Sequence, residues 1–196
     1  MKGNQNQKIK SASPEELTVA HQRIIFWFAA FPNVDFTFNE VCKATKTAKT
    51  TAKTIIEKLE KEQIIKKTVL GKLWRLVANL ESAKFRQIKM VLNLDLLLAT
   101  NTVEFILNSY PQARTIVLFG SFRKGEDLPS SDIDIAVEIP GLRQTIVEQM
   151  GTINQFGFRE NVKVSVLKFS RESIDLNLFA NIVNGIVLHG FLEAKP

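Results

Sequence analysis

Apolar residues recur with a helical period through the first half of the chain, and with a two-residue period in parts of the second half. Residues 1–13 are polar and show no period. Ser13, Pro14 and Glu15-Glu16 then read as a helix start, with Ser13 as N-cap and the acids in the first turn. The apolar stretch that follows reaches Phe31 and stops at Pro32-Asn33. Thr37-Phe38-Asn39-Glu40 is a capping box that opens a short helix to about Ala44. Thr47 is expected to cap a longer helix, whose stripe Ala48, Ala52, Ile55, Ile56 and Leu59 faces inward. Its other face presents Lys46, Lys49, Thr50, Lys53 and Thr54. Two β-like runs, 64–69 and 73–77, meet at Leu70-Gly71-Lys72 and predict a hairpin.

The pattern then predicts a helix over 81–99, apolar nearly all round in its second half, and a shorter one over 103–110. A buried strand follows at 116–119. After a loop rich in charge, Gly, Pro and Ser, strict alternation resumes at Asp132-Ile133-Asp134-Ile135. Residues 142–154 read as a helix, 161–169 as a strand with Val162, Val164 and Val166 on one face, 174–183 as an amphipathic helix, and 186–189 as a last short apolar piece. The whole reads as α+β: a helical N-terminal part, a connector helix, and a small α/β unit.

Charge divides this picture. Residues 1–79 carry 14 Lys/Arg against 7 Asp/Glu, and residues 80–196 carry 12 against 13, so the basicity belongs to the N-terminal part. That asymmetry predicts an anionic partner there, with nucleic acid the usual candidate. One cysteine, Cys42, excludes an intramolecular disulfide and a cysteine-based zinc site; His21 and His189 offer no ligand spacing. No apolar run is long enough to span a bilayer and the start lacks the apolar core of a signal peptide, so the expectation is a cytoplasmic protein with no membrane partner.

Helix, short helix, turn, basic helix and hairpin, in that order over residues 14–79, resemble the winged helix-turn-helix domains of prokaryotic transcription regulators. The resemblance implies a double-stranded DNA partner and a homodimer reading two half-sites. Lys46, Lys49, Thr50 and Lys53 would enter the major groove, with Lys66, Lys67, Lys72 and Arg75 of the hairpin on the backbone. Residues 80–102 would be the connector. The other reading of 14–79 is a helical module for dimerisation or docking.

The chemistry is concentrated at 115–138. Period-2 alternation sets Asp132 and Asp134 side by side, and two such carboxylates are a plausible seat for Mg²⁺. Gly120-Ser121 after a strand is a plausible phosphate cradle. Gly120-Ser121, ten residues, then Asp132-Ile133-Asp134, with Arg123 and Gly125-Glu126 between, make residues 103–190 resemble the minimal nucleotidyltransferases of the DNA polymerase β superfamily. The segment 184–190 is similar to the end of that domain.

The resemblance implies transfer of a nucleoside monophosphate from an NTP, ATP first among them, to an acceptor hydroxyl. Asp132 and Asp134 would hold Mg²⁺, and Gly120, Ser121, Arg123 and Lys124 the phosphates. It also implies candidate acceptors, among them a HEPN-type toxin partner or a nucleic acid. Glu126 and Asp127 are expected to serve the loop's structure, and Ser131 to brace the strand. The superfamily places a third carboxylate on the next strand; here that face offers Lys163 and Ser165. The alternative is therefore a catalytically impaired, nucleotide-sensing transcription regulator.

Overall fold

The computed structural model describes residues 18–193. The helix start expected at Ser13 lies outside these residues. The described helix, α1 (Val19–Ala30), follows an extended Thr18 whose hydroxyl accepts from the His21 N–H. The next elements are β1 (Phe36–Thr37), α2 (Phe38–Thr45), α3 (Lys49–Lys61), β2 (Ile65–Leu70) and β3 (Leu73–Ala78). The capping box forms as expected: Glu40 N–H donates to Thr37 Oγ1, and Thr37 N–H to Glu40 Oε2 at 2.7 Å.

Thr47 does not cap α3. Its hydroxyl is buried in a pair with Thr45 Oγ1 at 3.0 Å, and Ala48 takes the cap position with no side-chain bond. The turn between α2 and α3 is made by Lys46, whose backbone is left-handed. β2 and β3 pair from Ile65–Ala78 to Leu70–Leu73, and β1 adds to the other side of β3. Ile24, Phe28, Val41, Cys42, Ala52, Ile56, Leu59 and Leu76 fill the core between the three helices and this sheet. Cys42 is a small core residue, and burial pushes its thiol pKa up.

α4 (Ala83–Ala99) departs from the expectation of a helix buried all round. Ser82 caps it, and a single stripe at four-residue spacing faces inward: Phe85, Lys89, Asn93 and Leu97. Val91 and Leu98 are 59% and 63% exposed. Phe85, Ile88 and Leu92 join the N-terminal core, whereas Leu94, Leu96 and Leu97 join the core of the second half. One helix thus belongs to both cores. α5 (Thr102–Ser109) turns off it by 56° at a left-handed Asn101.

The remaining elements are β4 (Thr115–Phe119), α6 (Gly120–Lys124), β5 (Ile133–Glu138), β6 (Ile146–Phe156), β7 (Arg159–Phe169), α7 (Leu176–Val183) and β8 (Ile186–Gly190). The strands form one sheet in the order β6-β7-β5-β4-β8, with β5 and β7 parallel and the other pairs antiparallel. β6 replaces the helix expected over 142–154. The segment is rich in β-branched residues (Thr145, Ile146, Val147, Thr152, Ile153), and β7 offers a long edge to pair with. Gly151 and a register shift beside Gln149 broke the alternation that would have signalled a strand.

One face of the sheet, with Ile116, Leu118, Ile133, Ile135, Val164 and Val166, packs under α4, α5 and α6. The other face, with Val117, Ala136, Leu167 and Phe169, packs against Leu178, Phe179 and Ile182 of α7. α7 is capped by Asp175, whose Oδ1 accepts from the Asn177 and Leu178 N–H groups. Among the described residues no single helix is long and apolar enough to cross a membrane.

Candidate nucleotide site

β4 ends at Phe119, and the chain turns at once into α6. The turn requires glycine. Gly120 has φ +70°, and a Cβ there would collide with Asp134 Oδ2 while lying 3.2 Å from the Asp134 Cβ and Cγ. The Gly-Ser turn is therefore seated directly on the second aspartate, as the pairing of Phe119 with Asp134 requires. Asp132 stands two residues before it on the same chain. Ile133 and Ile135, on the opposite face, are fully buried and fix the orientation of the pair.

The loop between α6 and β5 is held from below. Asp127 is buried, and its carboxylate receives Asn93 Nδ2 at 2.8 Å, Lys89 Nζ at 3.2 Å and Arg159 Nη1 at 3.2 Å. Lys89 also donates to the Asp127 carbonyl, Arg159 to the Leu128 carbonyl at 2.8 Å, and Asn93 to the Phe122 carbonyl at 3.1 Å. The Arg159 guanidinium lies over the Phe122 ring. Gly125 closes the contact with α4, because a Cβ there would collide with the Arg86 carbonyl oxygen. Burial pushes the Lys89 and Arg159 pKa values down, and Asp127 opposes both shifts. At the loop's end Ser131 Oγ accepts from the Leu128 N–H at 2.9 Å, the bracing expected of it. Asp127 likewise serves the loop, as expected of it, though from inside the fold.

Lys89, Asn93 and Arg159 were not anticipated. The available signal was a lysine and an asparagine at four-residue spacing, in line with Phe85 and Leu97, on an otherwise apolar helix.

Arg123 and Lys124 come together with Gly120. They line a cleft of about 230 Å³ completed by Phe119 and by Leu178, Asn181 and Asn184 of α7. The same two cations also border a second cleft toward α4, with Arg86, Gln87 and Glu126. A larger cavity of about 530 Å³ lies between α5 and β6, and none of the anticipated site residues lines it. The donor chemistry, rather than cavity size, locates the site.

The parallel pairing of β5 with β7 sets Ser165 directly beside Asp134, and Gln149 of β6 lies beside Ser165. The position where a third carboxylate was sought is thus serine, with an amide as its neighbour. Glu148, next along β6, points to the opposite face, where Tyr110 and Lys168 hold it. Among the described residues no group of three acidic, histidine or cysteine side chains could hold a metal. Two carboxylates remain, hard-oxygen donors on one face. They suit a Mg²⁺ whose other ligands come from phosphate and water.

Of the N-terminal candidates, Lys46, Lys49, Thr50, Lys53 and Lys72 are exposed. Lys53 lies 4.0 Å from Glu57. Lys67 is committed elsewhere: it pairs with Glu60 and lies over the Trp74 ring. Arg75 is bound by Asp35 at 2.9 Å, and Lys66 by Glu81 at 2.7 Å.

Residues 101–190 match the family model Polymerase beta, Nucleotidyltransferase. This part of the chain is similar to nucleotidyltransferase domains, and such a domain implies a nucleotide substrate. No curated protein matches the chain.

Burial, and secondarily the charge of Asp132, hold the Asp134 carboxyl above its usual range. A raised carboxyl pKa favours the fold below the unfolded-state value, and that advantage is lost as pH rises through the folded value. Asp134→Asn should therefore raise the thermal midpoint at neutral pH in chelator. The gain should vanish in acid, where wild-type Asp134 is protonated. A melting series over pH checks this; an Asn variant no more stable than wild type at pH 7 would show that the two carboxylates do not strain the fold.

Proposed function

We propose that the C-terminal domain binds a magnesium-NTP at Gly120–Asp134 and transfers its nucleoside monophosphate to an acceptor hydroxyl, while the N-terminal domain binds double-stranded DNA. The observation that carries the nucleotide reading is the seating of Gly120 on Asp134. It sets a glycine turn against the Asp134 carboxylate, at the edge of a cleft that Gly120, Arg123 and Lys124 line.

The residue roles follow from charge. Asp132 and Asp134 would hold Mg²⁺, which when bound supplies charge neutralisation between carboxylates and triphosphate and polarises the reacting phosphorus. Gly120 lets the phosphates approach the backbone, and Ser121 offers a hydroxyl beside it. Arg123 and Lys124 balance charge that builds on the departing pyrophosphate. The acceptor oxygen attacks the α-phosphorus, the bond to pyrophosphate breaks, and the acceptor proton passes to water or a carboxylate. A protein acceptor such as a HEPN-type toxin, or a nucleic acid, fits this chemistry.

Ser165 supports a second reading. A hydroxyl is a poor ligand for a metal that would activate the acceptor, so binding would survive better than turnover. The domain would then sense NTP for a transcription regulator.

Incubation with labelled ATP, CTP, GTP or UTP, Mg²⁺ and cell extract separates the two. Label on a macromolecule, absent in Asp132→Ala/Asp134→Ala, is the outcome for the enzyme. Magnesium-dependent binding without transfer is the outcome for the sensor, and no binding removes both.

The DNA reading assigns residues 14–79 to a winged helix-turn-helix domain, 80–102 to a connector and 103–190 to the nucleotidyltransferase. It rests on the element order α1-β1-α2-α3-β2-β3, the sheet order β1-β3-β2 and the exposed basic face of α3. Because Lys67 and Arg75 are held by acids, the contact falls mainly on Lys46, Lys49, Thr50, Lys53 and Lys72. Lys49→Ala/Lys53→Ala should weaken binding in gel shifts and lower the salt slope by about 2. An unchanged slope would take α3 out of the interface.

A further inference from the structure

The cleft beside Gly120 has two chemically distinct walls. Arg123 and Lys124 supply cations from α6, whereas α7 supplies Asn181 and Asn184 above Leu178. The orientation of both amides is fixed by chemistry. Asn181 Nδ2 donates to the Asn177 carbonyl at 3.1 Å, and Asn184 Nδ2 to the Ala180 carbonyl at 2.8 Å. Only the nitrogen of an amide can face a carbonyl oxygen. Each Oδ1 is therefore turned away from the helix, and neither accepts a bond from any described residue. Leu178 and Asn181 lie at three-residue spacing on α7, Asn184 is its C-cap, and all three line the cleft.

We infer that Asn181 and Asn184 bind the nucleoside end of the nucleotide and so fix its direction in the cleft. Two carbonyl oxygens repel phosphate, and they take donors: ribose hydroxyls or an exocyclic base amine. The phosphates then lie toward Arg123 and Lys124, and the sugar and base toward α7, with Leu178 against the apolar face of the nucleoside. This assignment rests on the nucleotide reading of Gly120–Asp134 and adds which wall reads which part of the ligand.

The test is equilibrium binding to the full chain in Mg²⁺ of ATP, its 2′-deoxy and 3′-deoxy forms, ITP and inorganic tripolyphosphate. Asn181→Leu/Asn184→Leu should lose about tenfold or more in ATP affinity, the worth of one to two good hydrogen bonds, and leave tripolyphosphate unchanged. Retained tripolyphosphate binding also reports that the variant is folded. In the wild type, weaker binding of either deoxy form assigns the oxygens to ribose, and weaker binding of ITP assigns them to the base amine. Either result supports the proposal. Equal affinity for all four nucleotides, full ATP affinity in the variant, or parallel loss of ATP and tripolyphosphate overturns it. Tripolyphosphate and ATP bound equally by the wild type would overturn it while sparing the phosphate site. Failure of both to bind would remove the nucleotide reading as well.

Discussion

The buried carboxylate of Asp127 is the constraint on which the site depends. It sits in the loop between Gly120 and Asp134 and is bound by Lys89 and Asn93 of α4 and by Arg159 at the start of β7. A loop of that composition would otherwise be mobile. Here it is tied to the helix that enters both cores and to the strand that carries Ser165. Burying three charges is costly, and the cost is offset only while each has its partner; removing one side of such a pair typically costs about 3–5 kcal/mol. The position of Asp132 and Asp134 relative to Gly120 is thus set by a network of Lys89, Asn93, Asp127 and Arg159 that lies outside the proposed site.

That network also bears on how the two halves are related. α4 contributes Phe85, Ile88 and Leu92 to the N-terminal core and Lys89 and Asn93 to the underside of the site loop. Trp27 of α1 meets Phe158, at the turn between β6 and β7, edge to face at 5.3 Å. The basic α3 face and the Gly-Ser turn are built on one shared helix.

Much of this was legible in the sequence, for identifiable reasons. The capping box at Thr37 and the Gly71 hairpin are local signals, and local hydrogen bonds fulfil them. The alternation through Asp132–Ile135 signals both the strand and the shared face of the aspartates; the superfamily resemblance and the alternation of Val162, Val164 and Val166 point to Ser165, which the fold pairs with Asp134. The failures have a common cause, since each depended on a distant partner. The β6 segment reads as a helix in the sequence because its pairing edge, β7, lies after it in the chain and its bulge breaks the period. Lys89 and Asn93 carry no role in the sequence reading, because nothing local announces Asp127 and Arg159. Lys67 and Arg75 looked free until Glu60, Trp74 and Asp35 folded against them. Asn181 and Asn184 look like ordinary helix-end residues until α7 is laid beside Gly120.

In the proposed function, Gly120, Asp132 and Asp134 form a nucleotide and metal seat, and Ser165 is what limits it. The most direct test is the rate of nucleoside monophosphate transfer, with Mg²⁺ and a saturating NTP, for wild type and Ser165→Asp. Similar NTP affinity in both and a faster transfer rate in the aspartate variant are the expected result, since the added carboxylate lies beside Asp134. A variant that binds NTP as wild type does but transfers no faster would contradict it.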